Sequence, residues 1–116
     1  MNTQAPKVIS TFPRNGGEVG PAANIKATFS EDMQEASVMN AFKLFKKGST
    51  NQIAAQVTYD AATDTATLNP NNNLRRRATY KAVVSTMAKD AAGNRLNQNS
   101  STAGLQLKVW FFEIDN

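Results

Sequence analysis

Tyr80 heads the alternating run Tyr80-Lys81-Ala82-Val83-Val84 and follows Leu74 across a short basic stretch, Arg75-Arg76-Arg77. A tyrosine at the start of a strand buries its ring in a core while its hydroxyl bonds a backbone group a few residues upstream. That arrangement pins the point where a chain crosses between two stacked sheets. The constraint is severe. It predicts two antiparallel layers around a dry interior, with no cleft for chemistry.

The totals agree with one such unit. At 116 residues the chain is long enough to bury roughly two-thirds of its unfolded surface without disulfides or metals. Residues 6–114 are expected to form a single module, with residues 1–5 and 115–116 as flanking or linker segments. The sequence contains neither cysteine nor histidine. That removes thiol nucleophiles, thiolate metal sites, the serine-histidine-aspartate arrangement and imidazole acid-base catalysis together. The start, Met1 to Pro6, has no basic n-region or apolar h-region, and no apolar run reaches the length of a bilayer span. Met1 is either a true start or an added initiator on a fragment excised from a longer chain, and excision is the preferred reading because strand-like sequence begins almost at once.

Alternation places the strands. Lys7 to Phe12 alternates and then meets Pro13-Arg14-Asn15-Gly16-Gly17, while Ile25, Ala27 and Phe29 mark a half-buried second strand. Ser30-Glu31-Asp32 puts a capping side chain and two acids ahead of Met33 to Met39, which predicts a short helical turn near residues 32–39, with Met33 and Val38 over one end of the core. Phe42, Leu44 and Phe45 form a further short run. Gln56 to Tyr59 and Thr65 to Leu68 flank the turn Asp60 to Asp64, and Asp90-Ala91-Ala92-Gly93-Asn94 reads as another turn. Leu105 to Ile114 closes the set at about seven strands.

That last strand obeys no single parity, because Leu105, Leu107, Val109 and Phe111 oppose Trp110, Phe112 and Ile114. A bulge that switches faces is the preferred reading. Without one, a second apolar face is exposed and becomes a contact surface for a neighbouring module.

An ordered set of short motifs resembles the bacterial Ig-like modules of surface-layer proteins and of large exported enzymes and adhesins. The set runs from Pro6 to Ile114: Pro6-Lys7-Val8-Ile9-Ser10 with Pro13, Asn15 and Gly16; Ala27-Thr28-Phe29-Ser30-Glu31-Asp32-Met33; Val57-Thr58-Tyr59-Asp60; Ala66-Thr67-Leu68-Asn69-Pro70; Leu74 with Tyr80, which looks like a tyrosine corner; Lys89 to Asn94 with Leu96; and Trp110 with Phe112. The resemblance implies an all-β immunoglobulin-like sandwich in two sheets, exported to the bacterial surface or beyond, often in tandem, with no catalytic residues to carry across. Arg75-Arg76-Arg77 departs from the small, glycine-rich residues usual at that turn.

Individual candidates are weighed against plainer roles. Asp60 with Asp64, and Asp90 with Asn94, offer oxygen ligands to calcium, but calcium wants six to eight oxygens and such side chains normally bond their own turn. Glu31, Asp32 and Glu35 are too close together to flank a glycosidic bond, and suit a helix start instead. Trp110 is read as core, with Phe29, Leu74, Tyr80 and Phe112, in preference to a sugar-stacking platform. Thirteen Lys and Arg against nine Asp and Glu give a net charge of +4, but no aromatic residue interleaves with the clusters Lys46-Lys47 and Arg75-Arg76-Arg77, so nucleic-acid binding is not expected. The resulting expectation is a non-catalytic structural, spacer or adhesion module without cofactor or metal. Its partners are neighbouring domains of the same chain and a cell-surface protein or glycan, with Arg75, Arg76 and Arg77 as contact residues. The alternative is a carbohydrate- or protein-binding module appended to an exported enzyme.

Overall fold

The computed structural model describes residues 5–98 and 104–115; the flanking residues 1–4 and 116 lie outside it. Eight strands and one short helix follow in order: β1 (Val8–Phe12), β2 (Gly17–Val19), β3 (Ile25–Phe29), α1 (Glu35–Ala41), β4 (Phe42–Lys46), β5 (Ala55–Asp60), β6 (Thr65–Pro70), β7 (Thr79–Val84) and β8 (Lys108–Ile114). They form two four-stranded sheets, ordered β1-β3-β6-β5 and β2-β8-β7-β4. The chain is an all-β sandwich, and one continuous apolar cluster fills the space between its layers.

Alternation explains most of the inward set. Ile25, Ala27 and Phe29 of β3, Phe42 and Leu44 of β4, and Tyr80, Ala82 and Val84 of β7 are all buried. Their intervening neighbours face outward, as the pleat requires. Phe42 lies against Trp110 with ring centroids 5.9 Å apart, and Tyr80 stacks on Phe112 at 6.0 Å.

Three local readings change. β8 pairs with β7 in unbroken register from Lys108↔Val84 to Glu113↔Thr79, so the bulge expected in the last strand is absent. Trp110, Phe112 and Ile114 are buried, while Leu105, Leu107, Val109 and Phe111 are each at least 37% exposed. The irregularity falls in β1 instead, between Val8 and Ser10, and leaves Val8 buried with Ile9 and Phe12 exposed. Secondly, α1 begins at Glu35 after an N-cap, Gln34, that makes no side-chain capping bond. The Ser30 hydroxyl expected to cap it accepts from the Lys7 amide, and Met33 is held in a bridge to Asp90. Met33 and Val38 are both buried. Finally, β2 is an additional strand, and it runs parallel to β8.

The topology sets the two ends of the molecule. β1 starts where β3 ends, with Val8 opposite Phe29, whereas β8 finishes where β7 begins, with Glu113 opposite Thr79. Those places lie at opposite ends of the strands, because β3 and β6 are antiparallel and the loop from Pro70 to Thr79 joins β6 to β7 at a single end. The longest dimension of the module is 48 Å.

Candidate interaction face

The Tyr80 corner ties the loop between β6 and β7 to the core and to two other segments. Tyr80 is buried, and its hydroxyl oxygen accepts from the Arg75 amide at 2.8 Å. Leu74 is buried beside it, and its amide donates to the Pro21 carbonyl. The chain turns sharply at Arg77, whose φ of 63° is left-handed, and the Arg77 amide then donates to Ile114. The three arginine side chains are all exposed. Arg76 lies 4.0 Å from Asp115, with both side chains open to solvent. Such a pair is worth at most about 1 kcal/mol.

A second tyrosine pins the opposite end, and the sequence reading did not single out its role. The Tyr59 hydroxyl accepts from the Met33 amide at 2.9 Å and lies 3.3 Å from Asp32 and 3.2 Å from Asp64. It ties the loop after β3 to β5 and β6. Burial, and then the two carboxylates, push its pKa up to about 12, against the opposing bond from Met33. Below pH 10 the folded and unfolded chains both keep this proton. As pH rises from 10 towards 12 the unfolded chain loses it first, so stability is lost across that window. Tyr59→Phe should flatten this part of the profile, read as the difference between the two proteins in urea unfolding on either side of the window.

Two of the acidic candidates, Asp60 and Asp90, bond within their own turns. Asp60 accepts from the Ala62 amide. The buried Asp90 accepts from both the backbone amide and the side-chain amide of Asn94. Among the described residues no three His, Cys, Asp or Glu side chains are grouped as metal ligands. Glu31 is half-buried and Glu35 exposed. One shallow depression is lined by Gln34, Ser37, Asn40, Met87, Lys89 and Arg95, which offers cations and amides without a general base or nucleophilic pair.

The unexplained surface is the outer face of the β2-β8-β7-β4 sheet. Register builds it row by row. Lys43, Val83 and Val109 stand side by side, as do Phe45, Lys81 and Phe111 in the next row. A third row runs through Lys47, whose amide bonds Thr79, to Glu113 and Glu18. The Lys81 ammonium sits over the Phe45 ring at 5.2 Å, and that of Lys47 over Phe111 at 6.0 Å. Lysine and phenylalanine therefore do interleave here, across strands and not along the sequence. Trp110 lies on the reverse side, fully buried, which removes it as a stacking platform for a ligand.

Two facing sheets, closed at one end by a buried tyrosine whose hydroxyl reaches back to its own loop, define the immunoglobulin-like class of sandwich. Residues 2–113 match the bacterial Ig-like domain, and the chain belongs to that family. The N-terminal part of the bacterial S-layer protein SbsC is similar, with a TM-score of 0.68 at 22% identity over 97% of this chain and 24% of that one. PcoC, a methionine-rich copper resistance protein from Escherichia coli, gives 0.66 at 20% identity over 97% of this chain and all of its own. An L,D-transpeptidase from Mycobacterium smegmatis gives 0.62 at 16% identity, covering 97% of this chain and 41% of the enzyme. At these identities the likeness is one of fold. The chain spans only 14% of a longer SbsC chain that it also resembles. No curated protein matches it.

Proposed function

We propose that the chain is a non-catalytic spacer or adhesion-type module of a larger secreted or cell-surface bacterial protein. The observation that carries this reading is the placement of β1 and β8, which enter and leave the sandwich at opposite ends of its strands. A module with that connectivity sets the distance and orientation between its neighbours on the N- and C-terminal sides. Family membership supports the reading, as do similar folds within S-layer proteins.

The alternative, a module that holds a carbohydrate or protein, draws on a separate observation: the outer face of the β2-β8-β7-β4 sheet, where Phe111 and Lys47 are exposed and Lys43, Phe45 and Lys81 half-buried. Arg75, Arg76 and Arg77 add a second cationic rim at the Tyr80 end, beside the exit of β8.

Two copies joined head to tail through residues 115 and 6 test the spacer reading. Small-angle scattering should give a maximum dimension roughly twice that of one copy, as stacked domains with distal termini require. A folded-back pair no longer than a single module would defeat it. Protease accessibility on intact cells of the source bacterium tests the location, and complete protection of the module would place the protein elsewhere.

A further inference from the structure

We infer that the outer face of the β2-β8-β7-β4 sheet pairs with the same face of a second copy of this chain, about a two-fold axis that runs along the strands between β7 and β8. This goes beyond the spacer reading and holds whether or not the module stands in a tandem array.

The first argument is the apolar strip. Val83, Val109 and Phe111 adjoin on the face. Val109 and Phe111 are each 37% exposed, and Leu107, one residue ahead of β8, is 47% exposed. A contiguous strip of this kind marks a contact surface. A sugar ring needs an open aromatic face to stack on, but ammonium groups already stand over Phe45 and Phe111.

The second argument is how the charge divides. The face's three lysines, Lys43, Lys47 and Lys81, lie on its β4-β7 half, and its two glutamates, Glu113 and Glu18, on its β8-β2 half. Among the described residues no ion pair joins the two sets within the chain. An isologous contact lays one half of a face against the other half of its copy. With the axis along the strands, β4 stands over the partner's β2, and β7 over the partner's β8. Lys47 then meets the partner's Glu18, Lys81 the partner's Phe111, and Val83 the partner's Val109. An axis across the strands, through the middle row, would instead set Lys47 against the partner's Lys43. Mixed charge that selects no foreign partner is therefore complementary to its own copy in one orientation.

Size sets the strength. Four strands by three rows cover about 400 Å² with side chains, against about 800 Å² per partner in a stable interface. The pair is therefore expected to form transiently, at submillimolar concentration and above. Its axis keeps both copies pointing the same way, so two chains carrying the module run side by side, with β1 entering each at the same end.

The test is a concentration series of the chain alone, from roughly 20 µM to 2 mM, followed by amide chemical shifts and by sedimentation. Saturable shifts at Lys81, Val83, Val109 and Phe111 are expected, with a mean mass that climbs towards that of a dimer. Lys47→Glu and Glu18→Lys should each weaken association roughly tenfold, because every pair occurs twice about the axis. The double variant exchanges the two charges and should regain most of the loss. Both side chains are exposed, and the rest of each variant's spectrum verifies its fold. Direction is read with a spin label on Arg76→Cys, in a chain that has no other cysteine; it should broaden Thr79 and Glu113 of an unlabelled copy. The inference is overturned by shifts that do not change with concentration, by concentration-dependent shifts confined to the β1-β3-β6-β5 sheet, or by a double variant no better than the singles. Broadening at Lys43 and Lys108 in place of Thr79 and Glu113 would overturn the axis along the strands.

Discussion

Trp110→Ala is expected to cost about 3–5 kcal/mol of unfolding free energy, the range for removing a fully buried large aromatic. Trp110 is the largest side chain in the core with no exposure. It packs on Phe42 at the centre of β8, opposite Ala82. Alanine there would leave a void bordered by small and rigid neighbours that collapse only in part. Trp110→Phe gives a sharper reading. The indole N–H has no hydrogen-bond partner among the described residues, so phenylalanine loses volume but also removes a buried donor that costs free energy where it stands. Its penalty should be less than half that of alanine in urea denaturation. Equal penalties would mean that the N–H is satisfied in solution.

Tyr80→Ala should have a comparable effect, again about 3–5 kcal/mol, since the ring is buried and stacks on Phe112. Tyr80→Phe separates the hydroxyl from the ring. It deletes the acceptor for the Arg75 amide and should cost about 1 kcal/mol, the usual net value of one hydrogen bond. The loss should appear locally as well, as faster amide exchange at Arg75. A phenylalanine variant as stable as the parent, with Arg75 exchange unchanged, would show that the corner is held by the ring alone.

How far the sequence reveals this molecule depends on whether a residue's partner is local. β3 and β7 are legible because each alternates cleanly between apolar and polar residues, and only one side of each strand can face the core. β2 is not legible. Gly17-Glu18-Val19 carries no periodicity of its own, and it becomes a strand only because β8 offers an edge nearly a chain length away. β8 fails for the opposite reason. Both of its parities are apolar, so alternation cannot choose between them, and only the burial of Trp110, Phe112 and Ile114 shows which one is core. The helix cap misled because Ser30, a good cap by chemistry, already serves the Lys7 backbone amide just ahead of β1. The candidate face was hidden similarly. Lys43, Phe45, Lys81 and Phe111 are scattered along three segments, and cross-strand register alone gathers them. Sequence did mark the Arg75–Arg77 turn as unusual, and the structure places it at the exit of β8.

The opposed ends have a consequence for how the module meets tension. A pull through Lys7 and Asp115 acts along the strand axes, at right angles to the hydrogen bonds that join β8 to β7 and β1 to β3. Under that shear, bonds along a whole strand share the strain and must rupture together, whereas a hairpin peeled from one end opens them in turn. β2 adds a further line of resistance, since Gly17 to Val19 grip the last residues of β8, the first to feel a load from the C-terminal side.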